Sequence, residues 1–219
     1  EAVDIEDRNA LVARSIQELT RDRRTVAFCV TVKHARNLTQ ALNRLGVRAD
    51  LVHGEMKADR RAQALADFRA GRTQVLSNVG VLTEGFDDPG VSAIAMARPT
   101  RSEGLYAQCV GRGTRLAEGK TDCLVLDFAD LSELSLMTLP SLFGVPRQVN
   151  LNGEDPREAA AVWRQIMLDM PSFELEAEAI TLAEIKERAE QFDPLSREID
   201  PEVCAISPLD WHSLGRAGL

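Results

Sequence analysis

Five short apolar runs recur through the first 128 residues: "TVAFCV" (25–30), "RADLVH" (48–53), "TQVLSN" (73–78), "VSAIAMA" (91–97) and "TDCLVLDF" (121–128). Runs this short, without a polar alternation, fit strands buried on both faces. Amphipathic stretches stand between them. "KHARNLTQALNRLG" reads as a helix closed by Gly46, and "KADRRAQALADFRAG" as one closed by Gly71. Ahead of the first strand, "DIEDRNALVARSIQELTRD" carries an apolar stripe, with Asp4 and Asp7 as a start signal. Such alternation predicts a mainly parallel sheet with right-handed crossovers. Ligands of these sheets gather beyond the carboxyl ends of the strands. Thr31, His53, Asn78, the 83–89 loop and Arg98 are expected there.

The character changes after Asp127, and the chain is read as two parts, 1–130 and 131–219. "LSELSLMTLPSLFGVP" is apolar and interrupted by Pro140, Gly144 and Pro146, as a packed segment or a linker would be. "DPREAAAVWRQIMLDM" predicts a helix with Pro156 in its first turn and Pro171 beyond its end. "TLAEIKERAEQF" predicts another, opened by Thr181 with Glu184 three residues on. The tail around Trp211 has no clear assignment.

Charge is divided in the same way. The net of −8 splits into +2 for residues 1–128 and −10 for residues 129–219. A net-acidic chain would ordinarily exclude a nucleic-acid partner, but a near-neutral first part can carry a local basic strip. The acidic extension is expected to repel phosphates and to pack on the first part or meet a protein partner. With 44% hydrophobic and 27% charged residues, the composition is that of a globular protein. No apolar run reaches the roughly 20 residues that span a bilayer. Cys29, Cys109, Cys123 and Cys204 have no C-x-x-C spacing, and His34, His53 and His212 make no metal-like cluster with them. A reducing, cytoplasmic setting is expected, without a bound zinc. The chain opens "EAVDIEDRN" without a methionine, as an excised fragment would.

Two stretches carry chemistry. In "LTEGFDDPGV" (82–91), Gly85 allows close backbone approach to a ligand and Asp87 can accept from ribose hydroxyls; D-D-P-G is equally ordinary turn chemistry. In "QCVGRGTR" (108–115), Arg112 and Arg115 stand among Gly111 and Gly113 at a predicted helix end. A cation there is favourable on its own. Arginine also offers a planar fork suited to phosphate. The two glycines would keep side chains from holding the helix end back. Gly119-Lys120-Thr121 looks like the end of a phosphate-binding loop, but five residues rather than four separate Gly113 from Gly119, and a helix rather than a strand precedes it. It is rejected as one. No D-E-A-D or D-E-x-H stretch is present to hold Mg²⁺.

In order and spacing, "AFCVTVKHARNLTQAL", "VHGEMKADRRAQALADFRAGRTQVLSNVGVLTEGFDDPGV" and "QCVGRGTRL" resemble motifs IV, V and VI of the C-terminal helicase domain of superfamily 2 DEAD/DEAH-type helicases. The resemblance covers roughly residues 25–128. It implies the second RecA-like lobe of a two-lobe motor: a three-layer α/β domain, here followed by a helical extension. The first lobe of such a motor carries the phosphate loop and the Mg²⁺ acid, so both would lie outside this chain. The resemblance further implies that Gly85, Asp87, Gln108, Arg112 and Arg115 face ATP, with Arg115 the arginine finger and Arg112 its neighbour. Thr31, Lys33, His53, Gly54 and Asn78 become candidates for nucleic-acid contact. Gln108-Cys109 at the start of motif VI favours DNA over RNA. The alternative is a non-catalytic nucleic-acid or protein docking module that keeps the helicase-like fold.

Overall fold

The computed structural model describes residues 4–82, 86–128, 136–170, 173, 175 and 180–191. Gly85, with Thr83 and Glu84, lies outside the described residues, as does the tail that holds Cys204, Trp211 and His212. The chain forms two compact units, Glu1–Leu142 and Phe143–Leu219. Residues 129–135, where the sequence places the division, also lie outside the described residues.

The first unit runs α1 (Glu6–Thr20), β1 (Thr25–Phe28), α2 (Val32–Arg44), β2 (Ala49–His53), α3 (Ala58–Arg69), β3 (Val75–Val79), β4 (Ala93–Met96), α4 (Glu103–Gly111), β5 (Leu124–Asp127) and the short α5 (Leu139–Leu142). The five strands form one sheet in the order β2-β3-β1-β4-β5, and every pairing is parallel. The crossover from β1 to β2 runs one way along the sheet, and the next three run the other way. With right-handed crossovers the helices must then fall on opposite faces.

The core divides accordingly. Val26, Phe28, Leu76, Ile94 and Met96 pack with Ala64 and Phe68 of α3 and Tyr106, Cys109 and Val110 of α4. Ala27, Cys29, Val75 and Ala95 pack with Val12, Ala13 and Ile16 of α1 and Ala35, Leu38 and Leu42 of α2. Successive residues of one strand thus serve opposite layers, the period of two that a doubly covered sheet requires. Every residue of β1 and of β4 is buried.

Most helix ends follow the sequence signals. Thr31 Oγ1 caps α2 by accepting from the His34 amide at 3.1 Å, and Gly46 beyond its end takes φ +80°. Gly71 does the same after α3 at φ +72°. α1 differs. Its cap position is Ile5, with no side-chain hydrogen bond. Asp4 instead accepts from Asn9 Nδ2 and from Asn37 Nδ2 of α2, each at 2.9 Å. The carboxylate read as a helix start therefore ties α1 to α2. His34, 1% exposed, accepts from the Val30 amide through Nδ1 at 3.3 Å. Burial lowers its pKa.

The second unit carries α6 (Pro156–Asp169) and α7 (Leu182–Gln191), joined by the two-residue parallel ladder of β6 (Val149–Asn150) and β7 (Ile180–Thr181). Asp155 caps α6 with Pro156 in its first turn. Thr181 and Glu184 form the reciprocal capping box of α7: the Thr181 amide donates to Glu184 Oε2 at 2.7 Å and the Glu184 amide to Thr181 Oγ1 at 3.3 Å. The ladder had no sequence signal; two residues are too few to show a period. Among the described residues, no helix is long and apolar enough to cross a membrane.

Candidate functional site

The segment between β3 and β4 must carry the chain from the carboxyl edge of the sheet back to its amino edge. Phe86 anchors it. The ring is 5% exposed, lies 6.4 Å from Phe68 of α3, and has the Arg69 guanidinium 5.7 Å from its centroid. Asp88, 6% exposed, takes Arg24 Nη1 at 3.2 Å and the Gly90 amide at 3.0 Å. Arg24 Nε also donates to the Gly90 carbonyl at 3.2 Å. A Cβ at Gly90 would fall on that guanidinium, 1.1 Å from Nη2. Of the two consecutive aspartates, Asp88 fastens the turn and Asp87 is left exposed.

α4 brings the arginines to the same place. Ser102 caps it through the Leu105 amide at 3.2 Å. Tyr106 ties it to β5, its hydroxyl lying 2.7 and 2.8 Å from the two Asp127 oxygens, and the Leu139 amide donates to Asp127 Oδ2 at 2.7 Å. Burial raises the Asp127 pKa, and the two donors partly offset it. Burial first, and then the Asp127 charge, lifts the Tyr106 pKa far above the phenol range. At the helix end Arg112 Nη1 donates to the Phe86 carbonyl at 2.9 Å. Arg115 Nε faces Asp87 Oδ1 at 3.3 Å, with both side chains substantially exposed. Asp87, Arg112 and Arg115 are thus gathered, joining the loop before β4 to the end of α4. Gln108 is exposed on α4 one turn before Arg112, on the same side of the helix.

The two glycines of "QCVGRGTR" have different duties. A Cβ at Gly111 meets open space. One at Gly113 would lie 2.3 Å from Cys123 Sγ and 2.7 Å from Ile94 Cγ1. The sequence expectation that both glycines clear the approach of a ligand is corrected at Gly113, whose missing side chain lets α4's end seat on β4 and the entry to β5.

Lys120 is the residue that sequence reasoning passed over. Its Nζ donates to the carbonyls of Pro89 at 3.3 Å, Val91 at 2.5 Å and Arg115 at 2.8 Å, and to that of Gly113. In the rejected Gly-Lys-Thr string the lysine therefore binds backbone oxygens of its own chain. Burial lowers its pKa. A lysine after glycine carries no local signal for such a role; only the fold brings these carbonyls together.

The nucleic-acid candidates lie elsewhere. Thr31 follows the carboxyl end of β1, and His53 and Gly54 stand at that of β2. Thr31 and Gly54 are exposed, whereas His53 is half-buried with Nδ1 enclosed. Lys33 is exposed and lies 3.8 Å from Asp4. Asn78 is fully buried, and its Nδ2 donates to the Ala27 carbonyl at 3.1 Å. It braces β3 on β1 and offers no surface. Of the 83–89 loop expected with this group, residues 83–85 lie outside the described residues, and the expectation is corrected for the rest: Asp88 is bound to Arg24, which immediately precedes β1. Ser92 and Ala93 donate to the Arg24 carbonyl, which places the end of that crossover at the opposite, amino edge. The physical reason is connectivity: a segment linking two parallel strands of one sheet, here with β1 between them, must traverse the sheet.

The parallel five-stranded sheet with helices on both faces is a RecA-like fold. The chain belongs to the helicase conserved C-terminal domain family, whose model matches residues 7–117. It is the C-terminal helicase domain of a superfamily 2 helicase. It is 43% identical over 122 residues to irc3 of Schizosaccharomyces pombe, named as a mitochondrial ATP-dependent helicase, covering 55% of this chain and 20% of that protein. It is 32% identical over 125 residues to UvrABC system protein B of Bacillus licheniformis, covering 55% and 18% respectively. The solved C-terminal domain of the DEAD-box protein Dbp5 matches with a TM-score of 0.50 and 25% identity, over 58% of this chain and 73% of that one. The chain spans about a fifth of the length of the curated relatives.

Proposed function

We propose that this chain is the second motor lobe of an ATP-dependent nucleic-acid helicase or translocase, and that it supplies Arg112 and Arg115 to ATP held on a preceding RecA-like lobe. The observation that carries this reading is the exposed Arg115 guanidinium, 3.3 Å from Asp87, beside Arg112 at one helix end. The donor set fits phosphate oxygens. It does not fit Mg²⁺, which takes oxygen ligands, so the metal would be held by the other lobe. In this reading Arg115 leaves Asp87 for the terminal phosphate when the lobes close, Asp87 accepts from the ribose hydroxyls, and Gly85 and Gln108 face the nucleotide. Oriented guanidinium groups stabilise charge that develops in phosphoryl transfer.

Thr31, Lys33, His53 and Gly54 are proposed to meet the strand at the carboxyl edge, with Asn78 supporting them from within. The strand would be DNA, on the Gln108-Cys109 opening of motif VI. The setting would be a reducing one, cytoplasmic in the sequence reading, although one relative is named as mitochondrial. The acidic extension would meet a protein partner. In the alternative, docking-module reading, the arginines would have no nucleotide to meet.

The test is turnover by residues 1–219 alone. No nucleic-acid-stimulated ATP hydrolysis above buffer is expected, while the intact protein hydrolyses ATP. Steady turnover by the isolated chain, abolished by Arg115→Ala, would mean a complete site within it and end the split-site reading.

A further inference from the structure

We infer that Lys120 is a positioning residue for the arginine finger: its ammonium fixes the backbone that carries Arg115 by gathering carbonyls from both sides of the site. The inference rests on the proposed role of Arg115. Two of the carbonyls, Pro89 and Val91, belong to the segment entering β4; the other two, Gly113 and Arg115, belong to the arm that leaves α4. An ammonium has three N–H donors. Val91, Gly113 and Arg115 each take one, and Pro89, at 3.3 Å, shares. A charged donor makes each bond about twice as strong as a neutral pair would.

The arm has few other restraints. Residues 114–116 are exposed and outside regular structure, and Leu116 is 93% exposed. Behind Arg115, Gly113 is seated on Ile94 and Cys123; ahead of it, Gly119 turns the chain at φ +75°. Lys120 closes this span by returning to the Arg115 carbonyl itself. The same ammonium holds the strand entry just beyond Asp87, the partner of Arg115. One side chain therefore sets the separation between the finger and the loop it rests on. No phosphate contact is needed for a lysine in this string to matter.

The test is ATP turnover by the intact protein with saturating DNA, for wild type, Lys120→Met, Arg115→Lys and the double variant. Methionine keeps the aliphatic stem and removes the donors. A small misplacement of a catalytic group costs up to about 10²-fold. Lys120→Met is therefore expected to lower kcat about 10- to 100-fold, with nucleotide KM changed less than about 3-fold; kcat is taken per nucleotide-binding site counted by titration, because a smaller folded fraction would lower the uncorrected rate in the same way. On the Arg115→Lys background it is expected to have no further effect, because the finger it positions is already gone. Wild-type kcat in folded Lys120→Met, or a full further loss in the double variant, overturns the inference while Arg115 keeps its role. Wild-type turnover in Arg115→Lys overturns both. Should Lys120→Met not fold, Lys120→Gln is measured instead: its two neutral donors on a shorter reach cannot span the four carbonyls, so a lower kcat per site is expected, and wild-type kcat overturns the inference.

Discussion

Arg115→Lys in the intact protein is expected to lower kcat for nucleic-acid-stimulated ATP hydrolysis by about 10³-fold or more, the range over which arginine fingers act. ATP affinity should stay within a few-fold of wild type. Lysine keeps the positive charge and loses the planar fork, so it cannot hold two phosphate oxygens in one plane. An interaction realised in the transition state is lost from kcat, whereas uniform binding is lost from KM. The ordinary alternative is that Arg115 is a helix-end cation paired with Asp87. Both side chains are substantially exposed, so that pair contributes little to stability. It needs charge alone, and lysine would preserve it. Steady-state turnover together with nucleotide binding by titration separates the two roles.

Gly113→Val is expected to destabilise the first unit by about 1–3 kcal/mol or more, the cost of overpacking a filled core. The added Cβ would stand 2.3 Å from Cys123 Sγ and 2.7 Å from Ile94 Cγ1. Neither neighbour can retreat easily. Ile94 is fully buried in β4, and Cys123 immediately precedes β5. Cys123→Ala should recover part of the loss by removing the nearer atom. Gly111→Ala is the control, since its Cβ meets open space and its backbone is helical. It should be neutral or stabilising by up to about 1 kcal/mol. Urea denaturation checks all three, and wild-type stability in Gly113→Val would contradict the packing described here.

Much of the first unit is legible because burial on two faces leaves an unbroken apolar run. β1 and β4 stand out for that reason, and glycines at φ +80° and +72° close the two helices that end in them. The strands are shorter than the runs. "TVAFCV" extends to Val30, which is 40% exposed, because a run records hydrophobicity and not hydrogen bonding. The candidate site was legible at Asp87, Arg112 and Arg115, whose residue types declare their chemistry. What escaped was the support beneath them. Arg24 on Asp88, Tyr106 on Asp127 and Lys120 on its carbonyls are pairs separated by 64, 21 and 5 to 31 positions. No periodicity or local motif encodes such distances. Asn78 failed in the opposite sense: a polar residue near a strand end reads as a surface group, whereas here its amide satisfies a backbone carbonyl inside the sheet.

If Arg115 acts on the transition state of phosphoryl transfer, its loss must separate the affinities for ATP and for ADP with aluminium fluoride, measured side by side in wild type and Arg115→Lys. A group that acts only as charge develops contributes to the second affinity and not to the first. Arg115→Lys is expected to bind ATP within about 3-fold of wild type and to lose about 10²-fold or more in affinity for the ADP–fluoride complex. Equal losses for both ligands, or none for either, would contradict it.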